Sequence, residues 1–201
     1  MAIRELVLAS NNQGKLGELK GMLEGFGIQV MAQSDFQTPE ADETAATFLE
    51  NALIKARNAT AYSGRPALAD DSGLCVDCLD GAPGVRSARY AGPDASDSDN
   101  VQRLLQALDG VPADGRQARF VCVMALLRDV NDPLPLIAQA EWQGRIIEQP
   151  RGDGGFGYDP VFLPDGEDRT AAELPAAEKN RLSHRGQALA LLQRLLRSET
   201  E

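Results

Sequence analysis

Two long apolar stretches, ARFVCVMALL (Ala118–Leu127) and LPLIAQAEWQGRI (Leu134–Ile146), follow each other in the chain and decide its fold class. Each has the length of a long strand and carries the branched and aromatic side chains that strands favour. Shorter predicted strands alternate with predicted helices in the rest of the sequence. Together these patterns predict an α/β fold with a mixed sheet.

The first half of the chain supplies two short strands and two helices. IRELVLAS (residues 3–10) and IQVMAQ (28–33) are typical of strands. Between them, apolar residues recur at helical spacing before Gly27: Leu16, Leu19, Leu23 and Phe26. A second helical pattern predicts a helix from Thr44 to Ser63 that ends at Gly64; its apolar positions are Phe48, Ala52, Ala56 and Ala59, and its polar ones include Glu50, Asn51 and Lys55.

The remaining elements are predicted from shorter patterns. PALAD (66–70) and LCVDCL (74–79) indicate two strands around a polar break, Asp70 to Gly73. Val101, Leu104, Leu105 and Leu108 indicate a helix that the carboxylates of Asp97 to Asp99 would cap. RGDGGFGYDPVF (151–162) predicts a glycine loop that runs into a short strand, and a last helix is expected from about Ser183 to Arg197.

The composition excludes several classes of protein. The 201 residues are 43% hydrophobic and 25% charged, which is ordinary for one globular domain. No apolar run approaches the roughly 20 residues that span a bilayer, and the N-terminus does not resemble an export signal, so we expect a cytoplasmic protein with reduced thiols. The net charge of −10 argues against nucleic acid as a partner.

The turn ASNNQGK (Ala9–Lys15) lies between a predicted strand and a predicted helix. Free backbone N–H groups and the helix dipole favour phosphate at such a turn. Lys15 adds a positive charge there, and Ser10, Asn11 and Asn12 add neutral donors. An ordinary turn with a capping asparagine would also explain these residues.

The stretch ADDSG (Ala69–Gly73) places two carboxylates side by side. Neighbouring strand residues point in different directions, so we expect one of Asp70 and Asp71 to face a site. Mg²⁺ binds through one or two carboxylates together with water and phosphate oxygens, and Glu43 is a candidate second ligand. An Asx turn at the end of a strand is the alternative.

Two further motifs offer rings and cations. In GGFGYDP (Gly154–Pro160), Phe156 and Tyr158 provide faces on which a flat base could stack, unless both are buried in a tight turn. The single histidine, His184, stands beside Arg185 in EKNRLSHRGQAL (178–189). A cap at Ser183 would place both in the first turn of a helix, where a cation opposes the helix dipole.

A Cys-x-x-Cys pair, Cys75 and Cys78, raises the alternative of redox or zinc chemistry. In one regular strand an offset of three places the two thiols on opposite faces. The third cysteine, Cys122, lies in an apolar strand, and a zinc site needs four ligands. We therefore expect the cysteines to be small packing residues.

Five motifs in series resemble the inosine triphosphate pyrophosphatase family, the house-cleaning dITP/XTP pyrophosphatases. They follow the family's order over most of the chain: LASNNQGKLGEL, TFLENALIKARNA, ADDSGLCVDCLDGAPGVRSARYAG, GGFGYDPVF and AAELPAAEKNRLSHRGQAL. Two departures are mild. Ser10 stands where threonine is common, and Cys75 and Cys78 stand where small apolar residues are usual.

The resemblance implies both a fold and a reaction. The fold is a long mixed sheet flanked by helices, a single domain over residues 1–201 with two lobes and an active-site cleft between them. The reaction is Mg²⁺-dependent hydrolysis of ITP, dITP and XTP to the monophosphate and pyrophosphate, which cleanses the nucleotide pool. The enzyme would be a homodimer that acts on a small-molecule nucleotide, and neither nucleic acid nor a membrane would be its partner.

The resemblance also assigns roles. Asp71 would bind Mg²⁺ and help to activate water, with Ser72 beside it on the substrate, Glu43 as a second metal ligand and Lys55 on a phosphate. The triphosphate would be held by Ser10, Asn11, Asn12, Gln13, Gly14 and Lys15. The base and sugar would be bound by Phe156, Gly157, Tyr158, Asp159, Lys179, His184 and Arg185. A pyrimidine or modified-nucleotide pyrophosphatase and a non-catalytic nucleotide-binding protein stay open as alternatives.

Overall fold

The computed structural model describes residues 3–10, 16–17, 19–20, 23 and 27–198. Within them, six strands form one sheet in the order β2-β1-β3-β4-β5-β6. The strands are β1 (Glu5–Leu8), β2 (Gln29–Ala32), β3 (Ala67–Val76), β4 (Gln117–Leu127), β5 (Leu136–Ile146) and β6 (Phe162–Pro164). The longer helices are α1 (Phe48–Ser63), α2 (Asp97–Ala107), α3 (Ala176–Leu182) and α4 (His184–Ser198).

The sheet is mixed, as the sequence predicts. β1 pairs in parallel with both β2 and β3, whereas β5 and β6 are antiparallel. The two long strands that decide the fold class are present as β4 and β5, each of 11 residues. The α/β prediction is therefore confirmed.

The predicted polar break at Asp70 to Gly73 is wrong. β3 runs without interruption from Ala67 to Val76, and nine of its ten residues are buried. Asp70 and Asp71 are 2% and 5% exposed in the middle of the strand. Asp71 can remain there because α1 supplies donors to its carboxylate, so the chain needs no solvated turn at this point.

Side-chain caps explain where the helices begin. α1 starts at Phe48 rather than Thr44, because Thr47 caps it by accepting a hydrogen bond from the Glu50 N–H. It ends at Gly64, as predicted, in the left-handed conformation. The cap of α2 is Ser96, which forms a capping box with Asp99, so the predicted caps Asp97 to Asp99 lie in the first turn instead.

The last two helices meet at one serine. Ser183 ends α3, a helix that the sequence pattern did not predict, and its Oγ atom accepts a hydrogen bond from the Gly186 N–H. The predicted cap and the predicted final helix are thus confirmed. In the first predicted helix, the described residues 16–17, 19–20 and 23 are helical, Leu19 and Leu23 are buried, and Phe26 lies outside the described residues.

The chain divides into two compact units. The first unit comprises residues 1–71, 123–139 and 188–201, and the second comprises residues 72–122 and 140–187. The second unit has a hydrophobic core to which α2 and the strands contribute, including Leu74, Leu104, Phe120, Trp142 and Phe162. Over the described residues, no helix combines the length and the apolar character that crossing a bilayer requires.

The cysteines differ from one another in their surroundings. All three are cysteines outside any disulfide, and Cys75 and Cys122 are buried, as expected of packing residues. Cys78 is exposed, because it lies in a 3-10 turn, Asp77–Leu79, that follows β3. Its prediction as a packing residue within the strand is therefore wrong.

Candidate active site

The first unit contains a cluster of opposite charges together with one carboxamide, which we call the carboxylate site: Glu43, Asp70, Asp71 and Lys55, with Asn51. The Nζ atom of Lys55 lies 3.1 Å from the Oδ1 atom of Asp71 and 3.1 Å from the Oε1 atom of Glu43. The structure thus brings together three residues, Glu43, Lys55 and Asp71, that lie apart in the sequence. The ammonium group of Lys55 therefore lies between the two predicted metal ligands, Glu43 and Asp71.

The surroundings of Lys55 favour its charged form. Burial of the ammonium group lowers its pKa, but the carboxylates of Asp71, Asp70 and Glu43 outweigh burial and raise the pKa above its usual value. Lys55 is therefore a permanent cation at neutral pH. Asp71, 5% exposed, has this ammonium group as a direct counter-charge.

Helix α1 contributes two polar side chains to the carboxylate site, and the helical repeat places them on one face. Asn51 and Lys55 are four residues apart, so they lie on the same face of the helix, one turn from each other. The Nδ2 atom of Asn51 donates to the Oδ2 atom of Asp71 at 3.4 Å, while Lys55 donates to Oδ1. Each oxygen of the Asp71 carboxylate therefore has a donor from α1.

The donor set of the carboxylate site fits Mg²⁺. The described side chains include no group of three or more His, Cys, Asp or Glu residues arranged to hold a metal ion. Mg²⁺ needs no such cage, because one or two carboxylates suffice when waters and phosphate oxygens complete its coordination. The ammonium group of Lys55, held between Glu43 and Asp71, indicates that this pair of carboxylates accommodates a cation.

The second unit contains a ring flanked by two cations, which we call the Phe156 cluster: Phe156, Asp159, Lys179, Arg185 and Ser72. Lys179 Nζ lies 5.1 Å and Arg185 Cζ 5.4 Å from the centre of the Phe156 ring. Distances below about 6 Å allow cation–π attraction. The half-buried Phe156 ring is therefore held in an electropositive setting, which suits carbonyl oxygens on a flat ligand.

The buried carboxylate of Asp159 holds two members of this cluster in place. Its Oδ2 atom accepts hydrogen bonds from Lys179 Nζ at 2.6 Å and from the Phe156 backbone N–H at 2.9 Å. Asp159 and Lys179 are 3% and 7% exposed. A buried charge pair of this kind is stable only when both partners are present.

The beginning of α4 presents His184 and Arg185, as predicted. Arg185 Nη2 donates to Ser72 Oγ at 3.3 Å. The imidazole of His184 stacks on the Phe120 ring, with centroids 4.8 Å apart and planes 9° apart. Within this unit the structure thus brings Ser72 and Arg185 together although 113 residues separate them.

Tyr158 does not offer a stacking face, contrary to the prediction. Its side chain is 3% exposed and belongs to the hydrophobic core of the second unit. Its hydroxyl donates to the Ser87 carbonyl at 2.8 Å, and burial raises its pKa well above the usual value. Burial of a large ring is favourable once its hydroxyl has a partner, so Tyr158 anchors the loop instead.

Gly157 and the predicted phosphate contacts Ser10 to Lys15 complete the comparison with the predicted site. The Gly157 N–H donates to Asp97 Oδ2 at 2.6 Å, so this part of the loop contacts α2. Ser10 is half-buried and follows β1. The other predicted phosphate contacts, Asn11, Asn12, Gln13, Gly14 and Lys15, lie outside the described residues.

Two residues, Asn51 in the carboxylate site and Phe120 against His184, were not predicted as site residues. Phe120 gave no signal, because an aromatic residue in an apolar strand is indistinguishable from core. Asn51 did give one: it shares a predicted helix face with Lys55, at a spacing of four residues. The helix pattern named both residues, but only Lys55 was assigned a role.

Comparison with known proteins now identifies the family. A model of the Ham1 family matches residues 6–195. The chain belongs to the Ham1 family. The Ham1 family match covers α1, β3 and most of α4, and so every cluster described above.

Individual relatives agree with the Ham1 family assignment. A dITP/XTP pyrophosphatase of Methylococcus capsulatus is 60% identical over 197 residues, 98% of each chain. One of Escherichia coli K12 is 52% identical over 196 residues, 98% of this chain and all of that one. A HAM1 protein structure from Coxiella burnetii covers all of this chain and 99% of its own, with a TM-score of 0.89 and 48% identity. A Mycobacterium abscessus nucleoside-triphosphatase / dITP/XTP pyrophosphatase structure covers 94% of this chain and 98% of its own, with a TM-score of 0.76 and 43% identity.

Proposed function

We propose that this protein is a Mg²⁺-dependent pyrophosphatase that hydrolyses dITP, XTP and ITP to the monophosphate and pyrophosphate. Full-length similarity to dITP/XTP pyrophosphatases at 52–60% identity supports the reaction. The structural observation that carries the proposal is the carboxylate site, where Lys55 lies between Glu43 and Asp71. Paired carboxylates beside a half-buried cation suit the binding and activation of a charged phosphate substrate.

Asp71 is the proposed catalytic residue. With Glu43 it would hold Mg²⁺, which supplies positive charge against the phosphate oxygens when bound. The Asp71 carboxylate would accept a proton from the attacking water, and the ammonium group of Lys55 lies 3.1 Å from it as its counter-charge. Lys55 would also contact a phosphate, where its fixed charge offsets the negative charge that develops on the leaving pyrophosphate.

The segment from Ser10 to Lys15 would hold the triphosphate. Ser10 to Lys15 are assigned this role by family resemblance, as is Ser72 beside the reacting phosphates. Arg185, which donates to Ser72 Oγ, would fix the direction of that hydroxyl.

The Phe156 cluster supports recognition of a 6-oxopurine. Phe156 would stack on the base, and Lys179, His184 and Arg185 would donate to its oxygens, with the backbone of the segment 157–159 closing the pocket. Adenine carries an amine where hypoxanthine and xanthine carry oxygen. A donor left facing that amine loses its partner at about 1–3 kcal/mol, which corresponds to roughly ten- to hundredfold discrimination.

Further properties complete the proposal. A single two-lobed domain over residues 1–201, a homodimer and a cytoplasmic location follow from family resemblance and composition, and sedimentation would measure the oligomeric state. The nucleotide would be the partner, with neither nucleic acid nor a membrane involved.

The deciding experiment is pyrophosphate release from ITP, XTP, dITP, GTP, ATP and a pyrimidine nucleotide such as CTP, with and without Mg²⁺. The proposal expects release from the first three that depends on Mg²⁺, at rates at least about tenfold above ATP. Equal rates on ATP and ITP would refute the base preference. Binding of ITP without pyrophosphate release would favour a non-catalytic nucleotide-binding protein, and preferential release from pyrimidine nucleotides would favour the related pyrophosphatase class.

A further inference from the structure

We propose that Asn51 is a positioning residue of the carboxylate site, whose carboxamide aligns Asp71 with the segment that carries Glu43 and so sets the affinity for a divalent cation. The inference rests on the proposed function. Asn51 is 0% exposed and belongs to α1. A carboxamide in that position is fixed by its partners rather than by water.

Hydrogen-bond chemistry settles which way the carboxamide faces. The backbone N–H of Ala45 donates to Asn51 Oδ1 at 3.0 Å, and an N–H group can only meet the oxygen of an amide side chain. The NH₂ group therefore points the other way. It lies 3.4 Å from the Ala45 carbonyl oxygen and 3.4 Å from Asp71 Oδ2.

This arrangement makes Asn51 a link between two segments. Ala45 is two residues from Glu43. Because Asn51 forms hydrogen bonds with both the N–H and the carbonyl group of Ala45, it fixes the backbone next to Glu43. Asp71 lies on β3, 20 residues beyond Asn51. One buried side chain thus contacts the carboxylate of one proposed metal ligand, Asp71, and the backbone close to the other, Glu43.

Asn51 affects the orientation of the Asp71 carboxylate rather than the charge of the site. Lys55 supplies the positive charge between Glu43 and Asp71, whereas Asn51 is neutral and adds none. What it provides is a fixed donor that holds Asp71 Oδ2 and leaves the carboxylate in one orientation. Partners of metal ligands that act in this way typically change metal affinity or activity by about 10- to 100-fold when removed.

Helix α1 also provides a matched control. Asn58 is half-buried, and its Nδ2 atom donates to the Pro39 carbonyl oxygen at 2.7 Å. Like Asn51, Asn58 is an asparagine on α1 that donates to a backbone carbonyl in the segment before the helix. The contact to a catalytic carboxylate distinguishes Asn51.

The test measures binding of Mn²⁺, a stand-in for Mg²⁺, to the free protein by electron paramagnetic resonance. We expect Asn51→Ala to weaken Mn²⁺ binding by about tenfold or more, with Asn58→Ala unchanged. Asn51→Ser, whose hydroxyl is too short to reach both Ala45 and Asp71, should behave like Asn51→Ala. The Mg²⁺ concentration that gives half-maximal pyrophosphate release should rise by a similar factor, and excess Mg²⁺ should recover much of the rate.

Thermal unfolding separates positioning from a merely structural role. A lower melting temperature with unchanged Mn²⁺ affinity and unchanged Mg²⁺ requirement would overturn the inference, as would absence of Mn²⁺ binding to the wild type. Should Asn51→Ala not fold, Asn51→Ser decides by the same criteria. If the wild type releases no pyrophosphate from any nucleotide, the proposed function fails, and the Mn²⁺ comparison still decides the role of Asn51.

Discussion

The ammonium group of Lys179 lies 2.6 Å from the Oδ2 atom of Asp159, and both side chains are almost completely buried. The same oxygen accepts the Phe156 backbone N–H. A single carboxylate therefore fixes both the loop that carries the aromatic ring and a cation beside that ring. Under the proposed function, stability and base recognition would depend on the same pair.

Removing one member of this pair should destabilise the protein strongly. Lys179→Met leaves a buried carboxylate without its counter-charge, for which we expect a loss of about 3–5 kcal/mol in the free energy of unfolding. Urea denaturation measures it. The double variant with Asp159→Asn should lose less than the sum of the two single changes. Additive losses would show that the two side chains do not stabilise each other.

Gly155 and Gly157 form a matched pair in the glycine loop. Both have positive φ angles, 73° and 63°, so alanine at either position costs about 1–2 kcal/mol in backbone strain. A Cβ atom at Gly155 would in addition overlap the Asp159 carboxylate, whereas one at Gly157 meets open space. Gly155→Ala should therefore lower the free energy of unfolding clearly more than Gly157→Ala. Equal losses in urea denaturation would contradict this role for Asp159.

Periodicity in the sequence was sufficient to predict much of the fold. The apolar runs that became β4 and β5 and the Gly64 helix end could be predicted because they depend on local pattern. The continuity of β3 could not, since Asp70 and Asp71 resemble a turn unless the donors on α1 are known. Side-chain caps shifted helix starts for a related reason: Thr47 competes with Thr44, and Ser96 with Asp97 to Asp99, for the same role.

Contacts between distant residues limit what sequence can say about the site. The motif order assigned Asp159 and Lys179 to the same pocket, and the structure joins them directly. Tyr158 was misjudged, because only the tertiary structure shows its hydroxyl paired with Ser87 and its ring in the core. Asn51 was missed because its partner, Asp71, lies on another element.

Asp71→Asn should abolish most turnover while the fold is retained. The amide has almost the same shape as the carboxylate, but it can neither accept a proton from water nor attract a metal ion. We expect pyrophosphate release from ITP to fall by about 10²- to 10⁴-fold. Asp77→Asn serves as the control, because Asp77 is a carboxylate that pairs with Arg119 in the second unit. An Asp71→Asn protein with wild-type turnover would refute the catalytic assignment.

The turn after β4 should give the protein a specific sensitivity to acid. Asp132 is 8% exposed; burial raises its pKa, but hydrogen bonds from the Arg128 and Leu134 N–H groups and from the Arg128 side chain outweigh burial and lower the pKa below its usual value. A lowered carboxyl pKa stabilises the folded state above the unfolded value of about 3.9 and loses that effect as the pH falls through the folded value. The difference in free energy of unfolding between wild type and Asp132→Asn should thus be largest at neutral pH and shrink below about pH 4. Urea denaturation across this range measures it, and a difference that does not change with pH would contradict the electrostatic origin.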